Sequence, residues 1–436
     1  MARPVDCRSR GRFALALAAA LAAAAAPAWA IGRRPKCDGP GESPPVELAV
    51  TERGSLGIES ASSPPAGAPP ALRYRRLALR DCQCLAVRFA PLADSLARER
   101  ARLAAAHPCC DKPWVRCLLP CHCDDRALQM RITILCFTEQ DLRNRSAGLA
   151  LDLLLRVAEY EAKADLLAEA TAALTGAHAQ ARDFVERGFK LPIELASLER
   201  QRLEVEADRI RVQGTIDELN SRVKSLIGHG ALPINERLWP IADWTVAGAP
   251  RDAEDAIRLA LDQRAELQLL RRLNCDLDAK SLPVVREFLK SAHPAMGAPA
   301  GSNSPIIRMF EGLCSLVTRQ AAERSMRGGQ LQQLLSDREA AVADEVRQAL
   351  AAMAMYERLI ELDRRRADQW RERVEEQKDR SERGLATFLD VLQAELEWRK
   401  VRAALVADVV GWHRALAQLR TAQGSLVCEC AGEIDQ

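Results

Sequence analysis

The chain has 436 residues, 28% of them charged and only 4% aromatic, with a formal net charge of +2. That length admits two or three domains, or one elongated helical one. Charge and alanine richness with so few aromatics argue against a β-rich fold, and a near-neutral balance without a clustered basic face excludes nucleic acid as an expected partner.

The N-terminus reads as a processing segment. Arg3, Arg8, Arg10 and Arg12 make a basic start, and "FALALAAALAAAAAPAWA" follows, ending in Ala28-Trp29-Ala30. This pattern predicts a signal peptide over residues 1–30; a retained membrane anchor is the other reading of the same run. Without that segment the chain loses four Arg and one Asp, and its formal charge falls from +2 to −1. No Cys stands at the cleavage point, so a lipoprotein signal is not expected. The mature chain is expected to begin near Ile31, outside the cytoplasm. No later stretch reads as apolar enough to cross a bilayer as a helix.

Residues 31–72 contain "GPGESPP" and "SSPPAGAPP", a Pro/Gly-rich linker that cannot bury a core. Residues 73–140 form a Cys-rich segment. Eight cysteines fall here: Cys82, Cys84, Cys109, Cys110, Cys117, Cys121, Cys123 and Cys136. In an exported protein disulfides are the first expectation, stapling a small subdomain. Metal ligation is the rival, with His107, His122 and the thiols of Cys121 and Cys123 as ligands, although C-x-C is not the usual zinc-knuckle spacing. A helix is expected at "LADSLARERARLAAAH", and "RITILCF" (131–137) is the best strand candidate in the chain.

From residue 141 the pattern becomes long helix. Leu153, Val157, Tyr160, Ala164, Leu167, Thr171, Leu174, His178, Ala181 and Val185 alternate steps of four and three, and eight of the ten are apolar. That is a heptad seam. Gly188 and Pro192 break it. A second seam runs Leu195, Leu198, Arg202, Val205, Arg209, Val212, Ile216, Leu219, Val223 and Leu226, closed by Gly228 at a C-cap position. Two such helices joined by a short turn pack antiparallel. The first hairpin is thus expected over 141–230, connecting helices over 231–292, and a flexible linker over 293–305.

A second hairpin follows over 306–426, with a tail at 427–436. It repeats the first at an offset of 196 residues: Tyr160-Glu161 maps to Tyr356-Glu357, Gly188 to Gly384 and Gly228 to Gly424. Its return seam reads Val391, Ala394, Trp398, Val401, Leu405, Asp408, Trp412, Ala415, Leu419 and Ala422, nine of ten apolar. Trp398 and Leu405 stand where the first copy has Arg202 and Arg209, so the two seams are expected to meet different neighbours. The fold class is all-α: long antiparallel coiled-coil hairpins in a tandem duplication, with a small Cys-rich N-terminal part.

"RGLATFLDVLQAELE" (383–397), "RGFKLPIELASLE" (187–199) and "ALDQRAELQLLR" (260–271, with Ala265 where proline is usual) together resemble the outer-membrane efflux family, the TolC-like proteins. The resemblance spans about two thirds of the chain, from Ser146 to Gly424. It implies a homo-oligomer, a trimer, whose helices form a periplasmic conduit for efflux or type I export. It also implies the periplasm or outer membrane of a diderm bacterium, and docking of a periplasmic adaptor protein from an inner-membrane pump at the hairpin tips. The tip residues that carry over are Arg187, Gly188 and Phe189, and Arg383, Gly384 and Leu385; an ordinary interhelical turn is the plainer reading of the same residues. Family members insert two strands per half into an outer-membrane β-barrel, which needs about ten alternating residues per strand and aromatic girdles. Here those strands are expected to be absent or reduced. The alternative function is therefore a barrel-less envelope coiled-coil scaffold without transport.

No phosphate loop, metalloprotease helix or nucleophile signature is visible. His178 and His413 are expected to be packed helix residues, Glu375-Glu376 a solvated face, and Trp370, Trp398 and Trp412 core. No enzyme activity, cofactor or metal is expected.

Overall fold

The computed structural model describes residues 50–51, 73–105, 126–188, 195–228, 236–246, 252–292 and 313–434. In chain order the elements are β1 (Val50–Thr51), β2 (Arg73–Ala78), α1 (Leu79–Arg88), α2 (Pro91–Ala105), α3 (Arg126–Glu186), α4 (Leu195–Leu226), β3 (Glu236–Ile241), α5 (Ala253–Gln263), α6 (Ala265–Cys275), α7 (Leu282–Ala292), α8 (Leu313–Glu382), α9 (Phe388–Gln423) and α10 (Leu426–Ile434). They belong to two compact units. One comprises residues 100–136 and 269–336; the other holds the remaining described residues.

The hairpins are α3–α4 and α8–α9. Their descending limbs have 61 and 70 residues and their return limbs 32 and 36. At roughly 1.5 Å per residue the return limbs are on the order of 50 Å long. No proline interrupts any of the four interiors. Glycine stops them: Gly188, Gly228, Gly384 and Gly424 have φ of 85°, 76°, 72° and 74°. A residue with a Cβ resists this left-handed conformation, so the chain leaves the helix where it meets glycine. Gly384 and Gly424 follow Gly188 and Gly228 by 196 residues each, so both copies bend and end at matched positions.

The duplication extends beyond the hairpins. β2, α1 and α2 precede the first; β3, α5, α6 and α7 precede the second. Each return limb ends against the break between its two short helices. A Cβ at Gly228 would fall 2.5 Å from the ring of Phe89, which follows α1, and a Cβ at Gly424 would lie 3.4 Å from the backbone of Arg264, which separates α5 from α6. β2 and β3 pair in parallel, from Arg73 opposite Glu236 to Ala78 opposite Ile241, while β1 adds antiparallel to β2. A parallel pair needs a long crossover, and the first hairpin supplies it. β3 is tied to α4 by Asn220, whose Oδ1 accepts from the Leu238 amide at 2.8 Å, and by Lys224, whose Nζ donates to the Glu236 carbonyl.

One correction to the sequence reading follows. Residues 131–137 are helical, as the early part of α3. A short apolar run cannot fix its own period. Met130, Cys136, Glu139, Arg143, Ala147 and Ala150 are buried at helical intervals, and the Thr133 hydroxyl donates to the Gln129 carbonyl at 2.8 Å, which satisfies a β-branched polar residue inside a helix. One disulfide reaches outside the Cys-rich segment: Cys84 on α1 pairs with Cys430 on α10, 346 residues away. Cys82, one turn-face removed, is a buried thiol, and Cys136 is disulfide-bonded. The cysteines and histidines between residues 106 and 125, the predicted signal peptide and the 293–305 linker lie outside the described residues.

Among the described residues, apolar cores organise the larger unit. One gathers Leu77, Leu85, Leu154, Val157, Val223 and Leu238 under the sheet. A second joins α1, α3, α9 and α10 through Val87, Leu151, Leu155, Val406, Val410 and Leu426. The third lies near the tips. Arg143 crosses the second region. It donates to the Val87 carbonyl at 2.5 Å, where a helix C-terminus favours a cation, and it pairs with Asp94 at 2.8 Å and Glu139 at 3.2 Å. At the far end of α9, Arg264 donates to the Ala422 carbonyl at 3.2 Å and pairs with Glu266 at 2.7 Å. In the smaller unit Arg286 pairs with Glu323 at 2.7 Å and Arg126 with Asp278 at 2.6 Å. Among the described residues no helix is long and apolar enough to cross a membrane.

Candidate functional site: the hairpin tips

The two tips are built by different means. At the first, α3 ends in short-range ion pairs, Arg182 with Glu186 at 2.8 Å and Arg187 with Asp183 at 2.7 Å. The Gly188 amide then donates to the Val185 carbonyl at 2.9 Å. A Cβ on Gly188 would meet nothing within 4 Å, so the glycine answers a backbone requirement rather than a packing one. Phe189 lies outside the described residues.

The second tip is closed on both sides. The Leu385 amide donates to the Arg380 carbonyl at 2.8 Å, the six-to-one bond of a Schellman end, with Gly384 in the left-handed position. Two residues later Thr387 opens α9 with a capping box: its hydroxyl oxygen accepts from the Asp390 amide at 3.3 Å, and the Asp390 carboxylate accepts from the Thr387 amide at 2.8 Å. The Thr387 amide and hydroxyl hold the Asp390 carboxyl below its usual range. This is the local reason for the "LATFLD" stretch: a donor-rich cap restarts the helix within five residues of the break.

The tips are packed together. Phe184 and Phe388 stack with ring centroids 5.8 Å apart. Beneath them Leu174, Ala177 and Ala181 of α3, Leu198 of α4, and Leu389 and Leu392 of α9 form one buried cluster. Further along the same seam, Glu169 on α3 meets Arg402 at 3.2 Å and Arg399 at 3.6 Å on α9, and Asp152 meets Arg414 at 2.7 Å. Sequence reasoning missed these cross-hairpin pairs, because heptad spacing locates a seam without identifying the helix across it.

Leu385 is 68% exposed, Val185 44% and Phe184 41%. Arg187 and Arg383 flank them on the exposed surface. An apolar centre with a charged rim suits docking of another protein. It does not suit bond-making chemistry. Among the described residues no group of three or more His, Cys, Asp or Glu could hold a metal. His413 is packed between the rings of Trp412 and Trp244, at 5.0 and 5.3 Å, and burial pulls its pKa down. His178 is half-buried, 3.9 Å from Glu199. Trp412 is 3% exposed, and its Nε1 donates to Glu357 at 3.2 Å.

No family model matches the chain, and no curated protein matches it. Solved structures do. The chain is similar to the outer membrane protein VceC of Vibrio cholerae, at 14% identity and a TM-score of 0.51 over 69% of this chain and 74% of that one. It is similar to the CmeC outer membrane channel of Campylobacter jejuni, at 11% identity and 0.55 over 72% and 71%. It is also similar to CusC, at 14% identity and 0.52 over 69% and 73%. Identity this low speaks to architecture, and on architecture the matches agree with the doubled hairpins. The chain has the fold of the TolC-like outer-membrane channels.

Proposed function

We propose that this protein is an exported subunit of a homo-oligomeric helical conduit in the envelope of a diderm bacterium, serving efflux or type I export. One observation carries the reading. Two hairpins of matched design stand side by side with their tips locked together, in a fold shared with outer-membrane channels. Copies placed around an axis would continue that row of rods into a wall. The conduit is passive and needs no catalytic step. The tip residues Arg187, Gly188, Phe189, Arg383, Gly384 and Leu385 are the docking point for a periplasmic adaptor coupled to an inner-membrane pump. Adaptor binding opens the conduit by untwisting the hairpins.

The test is expression in a diderm host, envelope fractionation, and conductance of the purified protein in planar bilayers. The conduit reading expects an oligomer in the outer-membrane fraction and discrete conductance steps. A soluble periplasmic monomer without conductance would replace it with the barrel-less scaffold.

A further inference from the structure

Cys84 of α1 and Cys430 of α10 are joined across 346 residues. Nine cysteines stand between them in the sequence: six from Cys109 to Cys136, then Cys275, Cys314 and Cys428. An unstructured chain does not favour this pairing. Cys109 is only 25 residues on from Cys84, and Cys110 stands beside it. Loop closure weakens as roughly the three-halves power of loop length, so Cys84 meets Cys109 about fifty times more readily than Cys430.

The finished fold is what selects Cys430. This residue is fully buried, in the core where Val87 of α1, Leu151 and Leu155 of α3, and Val406 and Val410 of α9 meet. The α10 helix therefore has no place to dock until those three helices are packed. Gln83 then holds it, donating to the Leu426 carbonyl at 2.8 Å and to the Glu429 carboxylate at 3.1 Å. The neighbouring thiols do not fit the same role. Cys82 is buried in the core under the sheet, and Cys428 is exposed on α10. Residues two apart on a helix point to nearly opposite sides, so a bond from Cys84 to Cys428 would roll Leu426 and Cys430 out of the core. In an oxidising compartment the local bonds form early, and the native one must wait for the fold.

We infer that this protein is a substrate of a thiol–disulfide isomerase in its compartment, and that Cys84 reaches Cys430 by exchange out of an earlier bond to a cysteine of residues 109–123. The inference rests on the export reading in placing the chain where disulfides form and persist. The exchange needs no net oxidant. Starting from a Cys84–Cys109 bond, the isomerase thiolate attacks Cys84 Sγ, and Cys109 leaves as a thiolate and takes up a proton. Cys430, its proton lost to solvent, attacks Cys84 Sγ in turn, and the isomerase thiolate leaves. One disulfide has broken, one has formed, and the enzyme is unchanged.

The test uses the full-length chain and peptide mass mapping. The native protein is expected to show Cys84 joined to Cys430. The chain is then reduced in denaturant and oxidised with diamide as the denaturant is diluted away. The native bond is expected to fall about tenfold, with Cys84 found on cysteines of residues 109–123 instead. Protein disulfide isomerase in a glutathione buffer is expected to recover the native bond about tenfold faster than the buffer alone, together with the thermal transition of the native protein. A native protein without the bond overturns the inference. So does diamide alone giving the native bond in full yield, and so does an isomerase that works no faster than buffer. None of these results touches the conduit, which is judged by oligomer and conductance. A protein that shows the exchange and conducts nothing overturns the conduit alone.

Discussion

Phe184, in the last turn of α3, and Phe388, the first residue of α9, lie face to face with their planes 2° from parallel. This stack joins the two hairpins near their tips, close to a buried cluster drawn from α3, α4 and α9. Phe388→Ala is expected to lower stability by about 1 kcal/mol, since an aromatic pair contributes roughly that beyond its buried area. The change should be local. Hydrogen exchange is expected to quicken in residues 180–188 and 385–392 and to stay unchanged around β2 and β3. Unchanged exchange at the tips would show that the hairpins are held together elsewhere.

Gly411 allows α9 to approach α8 closely, because a Cβ there would fall 2.5 Å from the Tyr356 ring. Gly411→Ala is expected to destabilise by about 1 to 3 kcal/mol through overpacking, and Tyr356→Leu in the same chain to recover part of the loss. Gly176, also mid-helix, has nothing within 4 Å of its missing Cβ. Gly176→Ala is expected to stabilise by up to about 1 kcal/mol through helix propensity. Chemical denaturation of the three variants checks both signs at once.

Asp408 is the one acid on its seam. It shares a hydrogen bond with Asp363 across α8 and α9, and burial, then the Asp363 charge, push its pKa up to about 6. Asp363 also pairs with Arg366, 3.0 Å away. The first copy has Leu167 and Val212 at these two places, so the acids are particular to the second hairpin. A folded-state pKa above the unfolded one means that protonation favours the fold. The benefit is complete below the unfolded value and is lost as pH rises through about 6. Melting temperature is expected to rise as pH falls from about 7 to about 5. Asp408→Asn is expected to be more stable than the parent at neutral pH by about 1 kcal/mol, allowing for solvent screening, with the gap closing in acid. A pH-independent gap would place the effect in packing instead.

The Cys84–Cys430 bridge ties α1 to α10 across 346 residues of sequence. Gln83 supports it by donating to the Leu426 carbonyl at 2.8 Å. Cys84→Ser/Cys430→Ser is expected to cost about 2 to 5 kcal/mol. Burial, and then the charge of Asp81, push the neighbouring Cys82 thiol up to about 12. Cys82 should therefore resist alkylation in the native protein while exposed Cys428 reacts, and both should label in denaturant. Mass mapping of labelled peptides separates them; native labelling of Cys82 at the rate of Cys428 would mean that α1 is not packed.

The hairpins were legible because their signals are local. Gly188, Gly228, Gly384 and Gly424 mark backbone reversals that few other residues accept, and a heptad stripe needs no knowledge of what lies across it. Signals that depend on distant chain were not legible. "RITILCF" has strand composition, yet it lies inside the 61-residue α3, and a short apolar run cannot fix its own period. The pairing of β2 with β3 joins segments far apart in sequence, and the Cys84 partner cannot be chosen by spacing. At the tips, sequence located Arg187, Gly188, Arg383, Gly384 and Leu385 but not the Phe184–Phe388 stack that fixes their relative position.

The central claim is that copies of this chain stand their hairpins side by side around a common axis. The most direct measurement is electron microscopy of the detergent-extracted, full-length protein, averaged in views along the long axis. The account predicts a closed ring of helices around a hollow centre. Isolated four-helix rods in every view would contradict it.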